Sequence, residues 1–247
     1  MSPNSAGDRR PVGIAINVGA NSTLPGIRGR IWPSGAFEYI PIPEREPTGT
    51  WVPTYGDLDV EVPADLEAVP VHLDPSFDEY PHCVGYTYGD EHPVKAGPLS
   101  TLRAGDFLWF YASLEPTEGG PTWAPSRWGA FVIGQFRLAV DAFDPRDSTD
   151  LPEHLRRQCS SNAHAKRVEP DARTIIIGDP VESMLFDRAI PLSAPSAGTD
   201  ANAFVTDLAG DSGRGPWWRR VLRFDADAAE AFIGAIENGM RQPDGTW

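Results

Sequence analysis

The clearest pattern along the chain is an alternation of hydrophobic positions in its middle, which predicts β structure. The turn Gly105-Asp106 is followed by the aromatic run 107–111, and a second hydrophobic run covers 130–140. A turn of this kind before an alternating run, with a second such run downstream, is typical of paired strands. We predict that both strands belong to a mixed, barrel-like sheet that offers a pocket.

Further strand and turn signals lie on both sides of this pair. Residues 12–18 and 37–42 are predicted as strands, and 174–177 is predicted as a buried strand. Proline recurs through 43–70, which excludes long helices there and leaves turns, with one short helical turn near 64–68.

Two helices are predicted from their start signals. Asp150 is the expected N-cap of a helix over 152–167, with proline in its first turn and a glutamate placed for a capping box. Asp227, with Glu230 three residues later, starts a last helix, whose apolar residues recur at helical spacing and form a packing face. The elements together predict a single α+β domain with two main helices, covering 12–224, on which the helix of 225–247 packs.

Five short segments carry a resemblance to a known family. They read INVGAN at 16–21, FEYIPIP at 37–43, HLDP at 72–75, YTYGD at 86–90 and LRAGD at 102–106. In this order they resemble the nucleotide modification associated domain 3 (Nmad3) family over about 12–224. The resemblance implies a setting in nucleotide or DNA base modification. The turn and the two central strands are also similar to PUA-like domains of the EVE, ASCH and SRA types, which cradle modified bases.

Composition and charge narrow the class of protein. The chain has 247 residues, 40% of them hydrophobic, which is enough to bury a substantial core. A net charge of −14 and a pI near 4.7 argue against a wide face that grips duplex nucleic acid. Only two of the 21 basic residues are lysines, Lys95 and Lys166, which together with the acidic balance is typical of a halophile.

Hydropathy and cysteine usage predict the compartment. The apolar runs are only a few residues long, and the N-terminus contains no apolar signal core, so we expect neither a membrane span nor a secretory signal. Cys83 and Cys159 form no disulfide framework and no CxxC spacing, which fits a reducing compartment. The protein is therefore expected in the cytoplasm.

A polar segment before the Gly105-Asp106 turn holds most of the candidate chemistry. Six residues that can transfer protons or bind metals lie within 21 positions: His72, Asp74, His82, Cys83, Asp90 and His92. Their spacing is not a strong zinc-ligand signature, so we assign no metal and predict a loop that forms a polar pocket wall. Asp90 equally suits a turn. His164, near the end of a predicted helix, either contributes to the site or is held as a cation by the helix dipole.

A second candidate region is the Gly-rich loop 210–216, which precedes two tryptophans and two arginines. It brings Arg214 next to Trp217, and arginine beside aromatic rings is suited to stacking a base and holding a phosphate. The alternative is that the tryptophans cover an edge of the core. Trp109 is ambiguous in the same way, as a core ring or a stacking surface, and Asp106 is either a turn residue or a substrate contact.

We predict that the pocket receives a nucleotide or a nucleic-acid base, from a single strand or flipped out of a duplex. The expected catalytic residues are His72, Asp74, Asp90 and His164, with an aspartate as general base and a histidine as its acid or orienting partner. The expected substrate-binding residues are Asn17, Asn21, Arg30, Tyr88, Asp106, Trp109, Arg214 and Trp217.

Two other classes of function remain open on the sequence. One is a non-catalytic PUA-like reader that holds an extruded modified base between aromatic walls. The other is a small-molecule or protein-interaction module. No cofactor and no oligomeric state follow from the sequence.

Overall fold

The computed structural model describes Arg10 and residues 12–241. Residues 1–9 and 11, in the N-terminal stretch where no signal sequence was expected, lie outside the described residues. Residues 242–247, at the end of the predicted C-terminal segment, also lie outside them. The strands are β1 (Gly13–Asn17), β2 (Gly29–Ile31), β3 (Ile42–Pro43), β4 (Val71–His72), β5 (Thr87–Asp90), β6 (Phe107–Pro116), β7 (Gly129–Arg137), β8 (Thr174–Ile177), β9 (Met184–Pro191) and β10 (Leu222–Phe224). The α-helices are α1 (Pro93–Leu99), α2 (Glu153–Ser161), α3 (Ala163–Lys166) and α4 (Ala226–Arg241).

A mixed sheet forms the centre of this α/β domain. Its strands follow the order β10-β1-β6-β7-β9, and β2 pairs with the far end of β6. The strands β1 and β2 run parallel to β6, and the other neighbours are antiparallel. Within residues 12–241 the outer strands β10 and β9 do not pair with each other, so the sheet is open and the predicted barrel is wrong.

The two faces of the central sheet pack against different layers, which explains why the sheet does not need to close. Strand alternation directs Phe107 and Trp109 to the side covered by α4, and Leu108 and Phe110 to the opposite side. Because both faces are covered, the sheet buries its apolar residues without forming a barrel.

Two small antiparallel sheets lie on the side of the central sheet opposite α4. One pairs β3 with β4, and the other pairs β5 with β8. Tyr88 of β5 packs against Phe110 of the central sheet, with ring centroids 5.6 Å apart. On β8, Ile175 and Ile177 cluster with Leu155 of α2. This layer carries most of the polar residues of the candidate site.

Most of the predicted strands and one of the two predicted helices lie where local sequence patterns placed them. The strands β1, β6, β7 and β8 and the helix α4 lie where the sequence predicts them. Of the strand predicted over 37–42, only Ile42 lies in a strand, although Phe37 forms an isolated β-bridge with Ile31, and 64–68 is a turn. The helix predicted over 152–167 is interrupted, because Asn162 has an extended backbone between α2 and α3. The N-cap of α2 is Pro152 and not Asp150.

None of the helices in the described part of the chain is long and apolar enough to cross a bilayer.

Candidate active site

A cavity of about 250 Å³ opens beside β4, β5 and α3, near the end of β1. Its polar walls include the following side chains: Asn17, Asn21, His72, Asp74, Tyr88, Asp90, Lys95, His164 and Arg167. We call it the first cavity.

Asp74 is buried, and protein donors hold both of its carboxylate oxygens. The Oδ2 atom accepts a hydrogen bond from the backbone N–H of Gly89 at 2.9 Å, and Oδ1 accepts one from Asn162 Nδ2 at 3.0 Å. Asn162 also caps α3, because its Oδ1 accepts from the backbone N–H of His164. A Cβ on Gly89 would lie only 2.7 Å from the His164 ring, so a glycine is required for this close approach. The interrupted helix thereby positions Asp74 and His164 together.

The imidazoles of His72 and His164 meet at Asp74. Their ring centroids are 4.8 Å apart with an interplanar angle of 86°. The Nε2 atoms of His164 and His72 lie 3.4 Å and 4.0 Å from Asp74 Oδ2. Each Nδ1 faces another carboxylate, since His72 Nδ1 is 2.6 Å from Glu44 and His164 Nδ1 is 2.8 Å from Asp171. A carboxylate oxygen this close to a ring nitrogen requires a proton between them, so each Nδ1 is the donor.

Arg167 links the two outer carboxylates. Its Nη2 donates to Glu44 at 3.0 Å, and its Nη1 donates to Asp171 at 2.6 Å. The side chains of Arg167 and Glu44 are only 9% and 3% exposed, so this ion pair is largely removed from water. The guanidinium compensates the negative charge that holds the two histidines.

Charges in this network shift pKa values strongly. Burial opposes the ionisation of Glu44, but the hydrogen bond and the charge of His72 outweigh it and help to lower the pKa of Glu44 to about 2. Burial also opposes a charge on His164, but Asp74 and Asp171 outweigh it and raise the pKa of His164 to about 9. Both shifts favour the charged form of the group, because Glu44 and His164 each face groups of opposite charge.

Asp90 provides another titratable group on the same cavity wall. It accepts hydrogen bonds from the Tyr88 hydroxyl at 2.7 Å and from the backbone N–H of His92 at 2.8 Å. Burial raises the pKa of Asp90, and the hydrogen bond from Tyr88 offsets only part of that effect. Lys95 of α1 lies on the wall as well and donates to the backbone oxygen of Asn17 at 3.0 Å.

Three of these buried side chains could hold a metal ion. Each of these residues, His72, Asp74 and His164, offers one ligand atom, and the three atoms lie within 4.8 Å of one another. Imidazole nitrogens and a carboxylate oxygen are common ligands of divalent transition metals.

A second cavity, of about 270 Å³, adjoins the first, since Asn17 and Asn21 line both. Its wall combines arginines with tryptophans, namely Arg28, Trp128, Trp218 and Arg219. The Arg28 guanidinium lies 5.0 Å from the centre of the Trp128 ring, and the Trp128 and Trp218 rings meet edge to face at 5.2 Å. A wall of this kind can stack a base and contact a phosphate.

Comparison with known proteins identifies the family. The family model described as nucleotide modification associated domain 3 (Nmad3) matches residues 13–233. The chain belongs to the Nmad3 family. All the cavity residues named above lie within this match. No curated protein and no solved structure matches the chain.

The structure of this Nmad3 domain brings seven of the predicted site residues to the first cavity. They are the four proposed catalytic residues and three of the proposed substrate contacts: His72, Asp74, Asp90, His164, Asn17, Asn21 and Tyr88. The polar segment predicted as a loop is partly strand, because His72 ends β4 and Tyr88 and Asp90 belong to β5.

Two predicted substrate contacts have structural partners away from both cavities. Arg30 forms ion pairs with Glu38 and Glu61. Asp106 is fully buried and accepts hydrogen bonds from the backbone N–H groups of Val12 and Arg103. The hydrogen bonds that Asp106 accepts fix the turn before β6, so the structure places Asp106 in the turn and not at the pocket.

The two predicted stacking tryptophans lie in the core of the Nmad3 domain. Trp109 is fully buried and stacks on Phe107 at 5.5 Å, because the alternation of β6 turns it towards α4. Trp217 is also fully buried, and its Nε1 donates to the backbone oxygen of Thr199 at 2.8 Å. Arg214 is exposed and lines neither cavity. The neighbouring residues Trp218 and Arg219 line the second cavity instead.

The sequence did not point to Glu44, Asn162, Arg167 or Asp171. Asparagine before a short helical stretch is an N-cap signal, and this signal could have identified the helix break at Asn162. Arg167 follows His164 by one helical turn, which made it a candidate neighbour. Glu44 reaches the site only through the pairing of β3 with β4, and no local pattern indicates that pairing.

Proposed function

We propose that this Nmad3 chain is an enzyme that modifies a nucleotide or a nucleic-acid base in the first cavity. The observation that carries the proposal is the convergence of buried titratable groups on one cavity. His72 comes from β4, Asp90 from β5 and His164 from α3, and Asp74 lines the same cavity. Burying such groups together costs stability, and perturbed titratable groups in a cleft are typical of catalytic sites. The family name supports a nucleotide as the substrate class.

Asp90 is the proposed general base. Its raised pKa makes it a stronger base than an ordinary aspartate, and the Tyr88 hydroxyl orients the carboxylate. The centre formed by His72, Asp74 and His164 would orient and polarise the reacting group of the substrate. Its rigidity follows from the outer hydrogen bonds of both imidazoles.

The second cavity would hold another part of the same substrate. Trp128 and Trp218 offer ring surfaces, while Arg28 and Arg219 offer positive charge. Because these arginines are few on a chain of net charge −14, we expect contacts with few phosphates. A free nucleotide, a single strand or a flipped base meets this condition better than a duplex gripped along its length.

A non-catalytic reader is the second candidate, and the arginine and tryptophan wall of the second cavity favours it. A reader needs stacking rings and donors that recognise the base edge. It has no use for several buried titratable groups in the adjoining cavity. The first cavity therefore favours the enzyme over the reader.

Product formation separates the two candidates. The wild-type chain and the Asp90→Asn variant are each expressed in a bacterial host, which supplies possible group donors. The DNA, RNA and nucleotide pools are then digested to nucleosides and compared by mass spectrometry. We expect a nucleoside of altered mass in wild-type cells that is absent with Asp90→Asn. Asparagine can keep both hydrogen bonds of Asp90, since its oxygen accepts from His92 and its amide donates to Tyr88.

Binding is measured in parallel with purified protein, by fluorescence anisotropy of labelled nucleotides and of single-stranded and duplex oligonucleotides. Binding without a new nucleoside would favour the reader. Absence of both binding and product would contradict both candidates and leave the interaction module.

A further inference from the structure

We infer that His72, Asp74 and His164 bind a divalent first-row transition-metal ion, such as Zn²⁺ or Fe²⁺, through the two Nε2 atoms and the Asp74 carboxylate. This inference deepens the proposed function, on which it rests for its catalytic meaning, because the ion would lie in the proposed substrate cavity. Binding of the ion itself is measurable without any substrate.

The orientation of the two imidazoles carries the inference. Each Nδ1 donates to a carboxylate, at 2.6 Å from Glu44 for His72 and at 2.8 Å from Asp171 for His164. In a neutral imidazole the other nitrogen, Nε2, then carries a lone pair. Both lone pairs face the same oxygen of Asp74, at 4.0 Å and 3.4 Å. Two imidazole nitrogens and a carboxylate oxygen that face one another in this way form a ligand set suited to a divalent cation.

A metal ligand must be unprotonated, so the ion would replace any proton on the two Nε2 atoms. A single divalent ion neutralises Asp74 and accepts the lone pairs of both imidazoles.

The spacing of the three side chains suits such an ion. Ligand atoms about 2.1 Å from a metal lie about 3.0–3.4 Å from one another in octahedral or tetrahedral geometry. His164 Nε2 and Asp74 Oδ2 are already 3.4 Å apart, and His72 Nε2 is 4.0 Å from the same oxygen. All three ligand atoms lie within 4.8 Å of one another, so the rings move inward when they bind one ion.

The outer partners are those that metal-bound histidines use. A carboxylate on Nδ1 fixes the tautomer and increases the basicity of the ligating Nε2. Glu44 and Asp171 occupy these positions, and Arg167 joins them into one buried network. Two histidines and one carboxylate leave the remaining coordination positions open, and all three side chains line the first cavity.

Metal binding by the full chain tests the inference directly. Protein treated with a chelator is checked for folding by circular dichroism and is then titrated with Co²⁺, Zn²⁺ and, without oxygen, Fe²⁺. We expect one tightly bound ion per chain, a visible absorption band of protein-bound Co²⁺, and a rise of the melting temperature on loading. Asp74→Asn and His164→Gln should lose this binding. Glu44→Gln should weaken it about 10–100-fold, because Glu44 is not a ligand itself but orients the ligand His72.

His154→Ala is the matched control, since His154 is an exposed histidine on α2 outside the first cavity. It should bind the ion like the wild type. Folded wild-type protein that takes up none of the three ions with one-to-one stoichiometry overturns the inference, as does equal uptake by wild type and both ligand variants. If neither variant folds, NMR of the Co²⁺-loaded wild type decides. The ring signals of His72 and His164 must shift strongly while those of His154 stay in place, and unshifted His72 and His164 signals overturn the inference.

Failure of the metal inference is distinguishable from failure of the proposed function. Stoichiometric metal with no nucleotide binding and no product contradicts the function alone. Product formation by protein that takes up none of the three ions contradicts the metal site alone.

Discussion

The two sides of the central sheet bury different kinds of groups. On the side of α4, Trp109 packs edge to face on Phe224 and Phe232, with centroids 5.1 Å and 4.9 Å away. On the opposite side, beyond a first layer of aromatic rings, Glu44 and His72 are buried among charged neighbours. Apolar rings stabilise the fold through the area that they remove from water. Buried ionisable groups cost desolvation energy, which only their mutual pairing offsets.

This contrast distinguishes residues that hold the fold from residues that prepare a site. A well-packed apolar cluster could replace a buried ionic network at little or no loss of stability. The presence of such a network beside a cavity is therefore better explained by the chemistry that it allows.

Truncation of the core ring should have the largest effect on stability. Trp109→Ala should lower the free energy of unfolding by about 3–5 kcal/mol, because it leaves a cavity in a fully buried aromatic cluster. Urea unfolding followed by tryptophan fluorescence and circular dichroism measures the change. Trp51→Ala is the control, since Trp51 is 69% exposed and its loss should stay within about 0.5 kcal/mol. Equal effects of both variants would contradict the placement of Trp109 in the core.

Removal of the guanidinium should show the cost of unpaired charge on the other side. Arg167→Met should destabilise the protein by about 3 kcal/mol, because it removes the guanidinium that pairs with both the buried Glu44 and Asp171. Adding Glu44→Gln to this variant should restore part of the loss, since it removes the uncompensated charge. Urea unfolding of both single variants and the double variant forms a double-mutant cycle. Additive losses would mean that the pair contributes little to the network.

A single methyl group should perturb the site more than the fold. Gly89→Ala places a Cβ 2.7 Å from the His164 ring and 2.9 Å from Asn162 Oδ1, so we expect a loss of about 1–3 kcal/mol and impaired metal and nucleotide binding. Gly234→Ala is the matched control on the α4 side. Its Cβ meets nothing within 4 Å, and alanine in a helix should raise stability by up to about 1 kcal/mol. Unchanged ligand binding in Gly89→Ala would contradict the close contact.

The α4 side of the fold was largely predictable from local patterns. Alternation identified β6, and helical spacing identified α4, because each pattern reflects burial of one face by residues close in sequence. Alternation placed Trp109 on one face of β6, but it did not say whether that face was turned to the core or to a pocket. The closed barrel failed for a related reason. Closure depends on which strands meet at the two edges, and the sequence does not encode that choice locally.

The cavity side was predictable only in part. The density of polar residues and the family resemblance indicated His72, Asp74 and Asp90, and these residues do line one cavity. The residues that organise them come from distant segments. Glu44 and Arg167 are 123 positions apart in sequence and meet only in the folded chain. Their contribution is electrostatic and non-local, so neither periodicity nor motif spacing could reveal it.

The smallest expected effect concerns the second cavity, where the two sides of the sheet approach each other. Trp218 packs against the cluster on the α4 side and lines this cavity with Arg219, while Asn17 connects the cavity to the first one. Arg219→Ala should weaken binding of a single-stranded oligonucleotide and reduce the salt slope of its affinity by about 1, the value for loss of one phosphate contact. Arg214→Ala is a control of equal charge and similar exposure that should change neither quantity. Anisotropy titrations across salt concentrations measure both variants, with urea unfolding to show that stability is unchanged. A salt slope that falls with Arg214→Ala and not with Arg219→Ala would assign the phosphate contact to the Gly-rich loop. A steep salt slope that neither variant changes would place nucleic acid on another surface.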